Sequence, residues 1–125
     1  MKKILSEYLG TTFLVAIVVG SGIMATDLTQ DVGLQLLINT MATVFGLAVL
    51  ILVLAPISGA HFNPVVTLVD LIQGKSSILQ FIQYAVAQTL GAISGALLAN
   101  AMFDHAIIET ATKVRSGSNL YLAEI

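Results

Sequence analysis

The sequence has no cysteine. No disulfide framework and no thiolate metal site can form, and the redox compartment leaves no mark on the chain. Charge is scarce as well: Lys and Arg number 5, Asp and Glu 7, and charged residues make up only 10% of the total. Five basic residues build no basic patch, so nucleic acid is not an expected partner. There is no nucleophile paired with a base, no phosphate loop and no metal-ligand cluster, so neither an enzyme nor a cofactor is expected.

What fills the chain instead is apolar. Hydrophobic residues account for 57% of the 125 positions, and the mean hydropathy is +0.95. A soluble domain of this size keeps far more charge on its surface. The apolar residues also come in long runs, which a bilayer needs and an ordinary core does not. Three runs, at about residues 5–26, 34–55 and 78–103, each have roughly the 20 residues that carry a helix across about 30 Å of hydrocarbon. The first opens with Glu7, the second has no charged residue, and the third is also uncharged, with the amides Gln80, Gln83, Gln88 and Asn100 as polar exceptions. Lys2 and Lys3 ahead of the first run imitate a signal peptide, but that run exceeds the roughly 7–15 residues of a signal core and further spans follow it.

Basic residues set the expected orientation. Lys2 and Lys3 flank the first span and Lys75 lies between the second and third, whereas the loop between the first two carries Asp27 and Asp31 and no basic residue. Positive loops stay inside, which places the N-terminus in the cytoplasm and Lys113 and Arg115 outside.

Residues 56–74 are too apolar for an aqueous loop and too short to span. Asn63 and Pro64 make a favourable helix start, as cap and first helical residue, and Gly74 makes a plausible stop. About ten residues from Pro64 would extend roughly 15 Å, half a bilayer. Ahead of them, Ser58 to Phe62 reads as extended chain, which at membrane depth is tolerated only inside protein or beside a wet cavity. Extended chain in and half-helix out is a re-entrant loop.

Ser58-Gly59-Ala60-His61-Phe62-Asn63-Pro64-Val65-Val66-Thr67-Leu68 resembles the first signature loop of the aquaporin and glycerol-facilitator (major intrinsic protein) family, whose usual core is Asn-Pro-Ala. Glu7-Tyr8-Leu9-Gly10-Thr11 resembles that family's first helix, Phe45-Gly46-Leu47-Ala48 its second, and Ala87 to Ala92 with Gly95-Ala96 its third. The resemblance runs along essentially the whole chain. It departs from the family at Val65, where Ala is usual, at Asp70, where a small or apolar residue is usual, and in a shorter interval from Phe45 to Asn63.

The resemblance implies an all-α membrane protein: an aquaporin-like half-repeat of three transmembrane helices and one re-entrant half-helix. It implies a passive channel for water or small neutral solutes in the plasma (inner) membrane, with the lipid bilayer, a second half and further copies as partners, since the family is typically tetrameric. Residues 119–125 resemble the opening of a fourth helix, with Glu124 echoing Glu7, but no second signature loop follows. The expectation is therefore a truncated half that does not conduct by itself. A half-channel pairing with an inverted second chain, and a small dual-topology ion-coupled transporter, are the alternatives.

Each candidate residue has a plainer reading beside its functional one. Asn63 is a helix cap or a pore-facing donor; with Pro64 and Val65 it forms the expected pore signature. Gly59, Ala60 and His61 would offer pore-lining carbonyls, while His61 as metal ligand or base lacks a second His or carboxylate at ligand spacing. Glu7 is a proton carrier or a buried hydrogen-bonding group, and Gln88 a brace for the loops. Phe45 is lipid-facing or part of a constriction. Gly91 and Gly95 form a small-residue packing face. Asp70 has no assigned role.

Single cysteines at positions 30, 75 and 113, tested with an impermeant maleimide, should report 75 on the face opposite to 30 and 113. Equal labelling of 30 and 75 from the outside would overturn this topology.

Overall fold

A computed structural model describes residues 1–108; the placements expected for Lys113, Arg115 and the helix start at 119–125 lie outside the described residues. Those described fold as four helices: α1 (Lys2–Leu28), α2 (Val32–Ser58), α3 (Pro64–Ile72) and α4 (Ile78–Met102). Three of them, α1, α2 and α4, are long and apolar enough to cross a membrane. The fourth, α3, has nine residues, or roughly 14 Å at 1.5 Å per residue. The architecture is all-helical, with three spanning helices and one half-length helix.

α1 lies between α2 and α4, and α3 packs on α4. Glycine makes the α1–α4 approach possible. A Cβ at Gly91 would stand 2.5 Å from the Tyr8 carbonyl oxygen, and one at Gly95 would overlap that of Thr12. Without a hydrophobic force between helices in lipid, such close backbone approach is what holds them. Tyr8 Oη and Ser94 Oγ add a hydrogen bond of 2.9 Å across the same seam. On the other side, Asn39 Nδ2 donates to Val18 O at 2.8 Å and to Ser21 Oγ at 3.0 Å, tying α2 to α1. Asp31 caps α2, accepting from the Leu34 N–H.

The interior is polar for its size. Ser6, Glu7, Thr11, Thr12, Ser58, Thr67 and Gln88 are buried, beside Ala25, Phe62, Tyr84, Ala87 and Ala99. Large apolar side chains such as Leu36, Leu52 and Val53 point outward. Acyl chains solvate Leu as well as a protein core does, so it is the polar groups that need shelter. Ser58 is the only buried residue of α2.

Two local features differ from expectation. Residues 56–58 continue α2 rather than opening the loop. Pro56 is accommodated in the last turn, where its missing N–H costs one bond, and the helix closes at Gly59 (φ 97°), whose N–H reaches Ala55 O at 3.0 Å. The chain from Gly59 to Phe62 is also not extended throughout: Ala60 (φ 54°) and Phe62 (φ 52°) are left-handed. That conformation disfavours residues with a Cβ by about 1–2 kcal/mol each, so other contacts must hold it.

Replacing Gly95 by Leu should lower stability in detergent by about 1–3 kcal/mol through overpacking. Gly22→Ala, where a Cβ meets only Asn39 Nδ2 at 3.5 Å, should leave the melting midpoint nearly unchanged. Equal midpoints for the two variants would show that the α1–α4 seam does not depend on the Gly95 approach.

Candidate functional site

The loop between α2 and α3 is held by one buried side chain. Glu7, fully buried on α1, accepts the His61 N–H on Oε1 at 3.1 Å and the Phe62 N–H on Oε2 at 2.7 Å. Gln88 Nε2, from α4, donates to the same Oε2 at 2.8 Å. Both carboxylate oxygens act purely as acceptors, the role of an ionised carboxylate. Three donors satisfy a group that would be costly to bury alone. The Phe62 ring then seats over Gly10, where any Cβ would strike it.

A second tier joins the loop to α3 and α4. Gln88 Nε2 also reaches Thr67 Oγ1 at 3.1 Å, and Thr67 Oγ1 lies 3.1 Å from His61 Nδ1 and 3.2 Å from Asn63 O. Tyr84 Oη donates to Ser58 O at 2.9 Å, and Ser6 Oγ and Ser58 Oγ pair at 3.1 Å. Gln88 Oε1 is buried with no partner. Exchanging its amide atoms would set an oxygen against the Glu7 carboxylate, so the donor-inward orientation stands.

His61 has a carboxylate neighbour after all. Asp70 Oδ2 lies 3.3 Å from His61 Nε2, because the turn at Asn63 folds the second turn of α3 back toward the loop. The nine-residue separation concealed this pairing from a search at ligand spacing. Among the described residues no group of three His, Cys, Asp or Glu could hold a metal ion.

Asn63 caps α3, with Oδ1 accepting the Val65 N–H at 2.8 Å and Pro64 at the first helical position. Its Nδ2 makes no hydrogen bond among the described residues, and neither do the carbonyl oxygens of Gly59, Ala60 and His61. Asn63 and Val65 are exposed. Thus one face of the loop is saturated by Glu7, Gln88 and Thr67, and the other carries free donors and acceptors at the positive end of a helix dipole. Gly91 and Gly95 lie in the α1–α4 seam. Phe45, 63% exposed on α2, is not joined to this network. Phe62, Thr67, Tyr84 and the Ser6–Ser58 pair carry positioning roles that the sequence does not announce. Only the polarity of Thr67 and Tyr84 amid apolar neighbours hints at them.

The model of the family described as Major intrinsic protein matches residues 1–123. Aquaglyceroporin AqpS of Rhizobium meliloti (strain 1021) is 47% identical over 123 residues, covering 98% of this chain and 53% of that protein. Aquaporin A of Dictyostelium discoideum is 36% identical over 95 residues, 76% of this chain and 34% of its own length. Aquaporin-5 of Ovis aries is 35% identical over 103 residues, covering 78% and 36% respectively. The chain thus spans about half the length of the first of these relatives and about a third of the other two.

Replacing Glu7 by Leu strands three donors, at about 1–3 kcal/mol for each group left unsatisfied. The variant should melt earlier in detergent, and a single cysteine at position 60 should react faster with maleimide than in the parent. Glu7→Gln should fall between the two. Unchanged melting and labelling in Glu7→Leu would mean that the carboxylate does not hold the loop.

Proposed function

The chain belongs to the major intrinsic protein family, and from that premise we propose that it forms one half of the conduction path of a passive channel for water or small neutral solutes. The observation that carries this reading is the free polar face of the loop: three successive carbonyls leading to an asparagine whose amide donors are unused.

A solute leaving bulk water gives up hydrogen bonds, and a conducting path must replace them without holding the solute. The carbonyls of Gly59, Ala60 and His61 would accept from water or from a polyol hydroxyl. Asn63 Nδ2 would donate to its oxygen, while Asn63 Oδ1 stays engaged with the cap. The α3 dipole, worth about half a positive charge at its N-terminus, would oppose cations and protons. A second half-repeat in inverted orientation would bring a matching half-helix against Asn63, Pro64 and Val65, with Val65 narrowing the junction and Phe45 contributing to a constriction. No bond is made or broken, and Glu7, with both oxygens occupied, is an anchor rather than a carrier of protons.

Lys2, Lys3 and Lys75 orient the N-terminus to the cytoplasm in this reading, in a plasma (inner) membrane. The name of the Rhizobium relative, an aquaglyceroporin, favours glycerol-sized solutes alongside water. Further copies would complete an assembly of the kind usual in the family.

Stopped-flow light scattering tests the proposal. Vesicles holding this chain with the second half of the Rhizobium relative should shrink faster than lipid alone under a water or glycerol gradient, and vesicles holding this chain alone should not. Asn63→Leu removes the pore donors and a cap worth about 1 kcal/mol; it should return flux to the lipid background while membrane insertion is unchanged. Undiminished flux in a well-inserted variant would remove Asn63 from the path. A fast phase from the chain alone, abolished by Asn63→Leu, would instead establish a self-paired half-channel.

A further inference from the structure

α1 and α4 run parallel and begin at the same end of the molecule, since Lys3 of α1 and Ser77, the cap of α4, border one hollow. Two adjoining depressions lie between the first turns of α1 and the first half of α4. One is an apolar groove of about 520 Å³, walled by Leu5, Tyr8, Val86 and Leu90, with Lys2 at its rim. The other, about 290 Å³, is bordered by Lys3, Ser77, Gln80 and Gln83. Met1, Ile4 and Gln83 line both, so the polar hollow and the apolar groove adjoin.

Charge is divided between the two ends. Among the described residues every Lys or Arg (Lys2, Lys3 and Lys75) lies at the end where α1 and α4 begin, while Asp27, Asp31 and Asp104 lie at the other. Of the remaining acids, Glu7 is saturated by three donors and Asp70 is paired with His61. Lys2 and Lys3 are exposed and form no ion pair among the described residues. A second apolar groove between the same helices, near Phe13, Met24 and Met102, has no charged residue in its lining.

A groove in hydrocarbon gains little from tail burial, because acyl chains are equally at home in the bilayer. Selectivity must come from the head. We propose that the cleft between the first turns of α1 and the first half of α4 is a binding site for one anionic phospholipid, with an acyl chain in the groove and the phosphate against Lys2 and Lys3. The occupant must be amphiphilic, because a polar hollow and an apolar groove stand side by side. It must be anionic, because the charges at its rim (Lys2, Lys3 and the Met1 ammonium) are all positive.

Native mass spectrometry of the detergent-solubilised chain, titrated with phosphatidylglycerol and phosphatidylcholine of identical acyl chains, tests this. Each Lys near an anionic lipid contributes about fivefold in affinity, so the first phosphatidylglycerol should bind well over fivefold more tightly than phosphatidylcholine. Lys2→Gln with Lys3→Gln should remove most of that preference, whereas Lys75→Gln, which does not line the cleft, should keep it. Val86→Trp, filling the groove, should remove the first binding event with both lysines intact, and glycerophosphoglycerol, a headgroup without tails, should not compete. Equal losses from Lys75→Gln and the Lys2/Lys3 double variant would overturn the proposal in favour of a diffuse field. Competition by the soluble headgroup would reduce it to a free-anion site, and a dimer that excludes lipid from the groove would identify a second copy as the occupant.

Discussion

The carboxylate of Glu7 is the point on which the loop depends. Two adjacent backbone N–H groups, of His61 and Phe62, point at its two oxygens. They can do so only because the chain around them adopts left-handed angles at Ala60 and Phe62. Those angles are unfavourable by themselves, and charge-assisted hydrogen bonds in a low-dielectric interior are strong enough to offset them. Gln88 and Thr67 extend the arrangement to α4 and α3, so that the loop, α3 and α4 are all referenced to one side chain on α1. Burying a carboxylate in a membrane protein is costly when it is unpaired; here three donors satisfy it.

That arrangement divides the loop into two chemically unlike faces. Toward α1 and α4, donors and acceptors are paired and Phe62 fills the space over Gly10. Away from them, the carbonyls of Gly59, Ala60 and His61 and the amide of Asn63 remain available. Rigid support behind and free hydrogen-bonding capacity in front are what a path for polar solutes requires, since a mobile loop would collapse onto its own unsatisfied groups. The His61–Asp70 contact sits at the border between the faces and braces the ring against α3.

The solvent explains the rest of the fold. Polar side chains gather inside, glycines bring α1 and α4 together, and α2 presents nearly all its length outward. Among the described residues Lys2, Lys3 and Lys75 collect at one end and Asp27, Asp31 and Asp104 at the other, and the cleft between α1 and α4 differs accordingly at its two ends. One fold therefore addresses two environments, acyl chains along its flanks and headgroups at its rims.

Much of this was legible in the chain before any coordinates. The three apolar runs, the half-length segment, the Asn63–Pro64 helix start and the small-residue face at Gly91 and Gly95 are local patterns. Length, hydropathy and capping chemistry act over a few turns, so sequence alone determined them. The angles at Ala60 and Phe62 were not legible, because a left-handed alanine or phenylalanine has no local cause; it exists only where a distant acceptor holds it. Nor were the Glu7–Gln88–Thr67 network or the His61–Asp70 contact, whose members stand up to 81 positions apart. The tertiary structure decided these, because whether a buried polar group is an anchor, a brace or a free donor depends on which partners folding brings within about 3 Å of it.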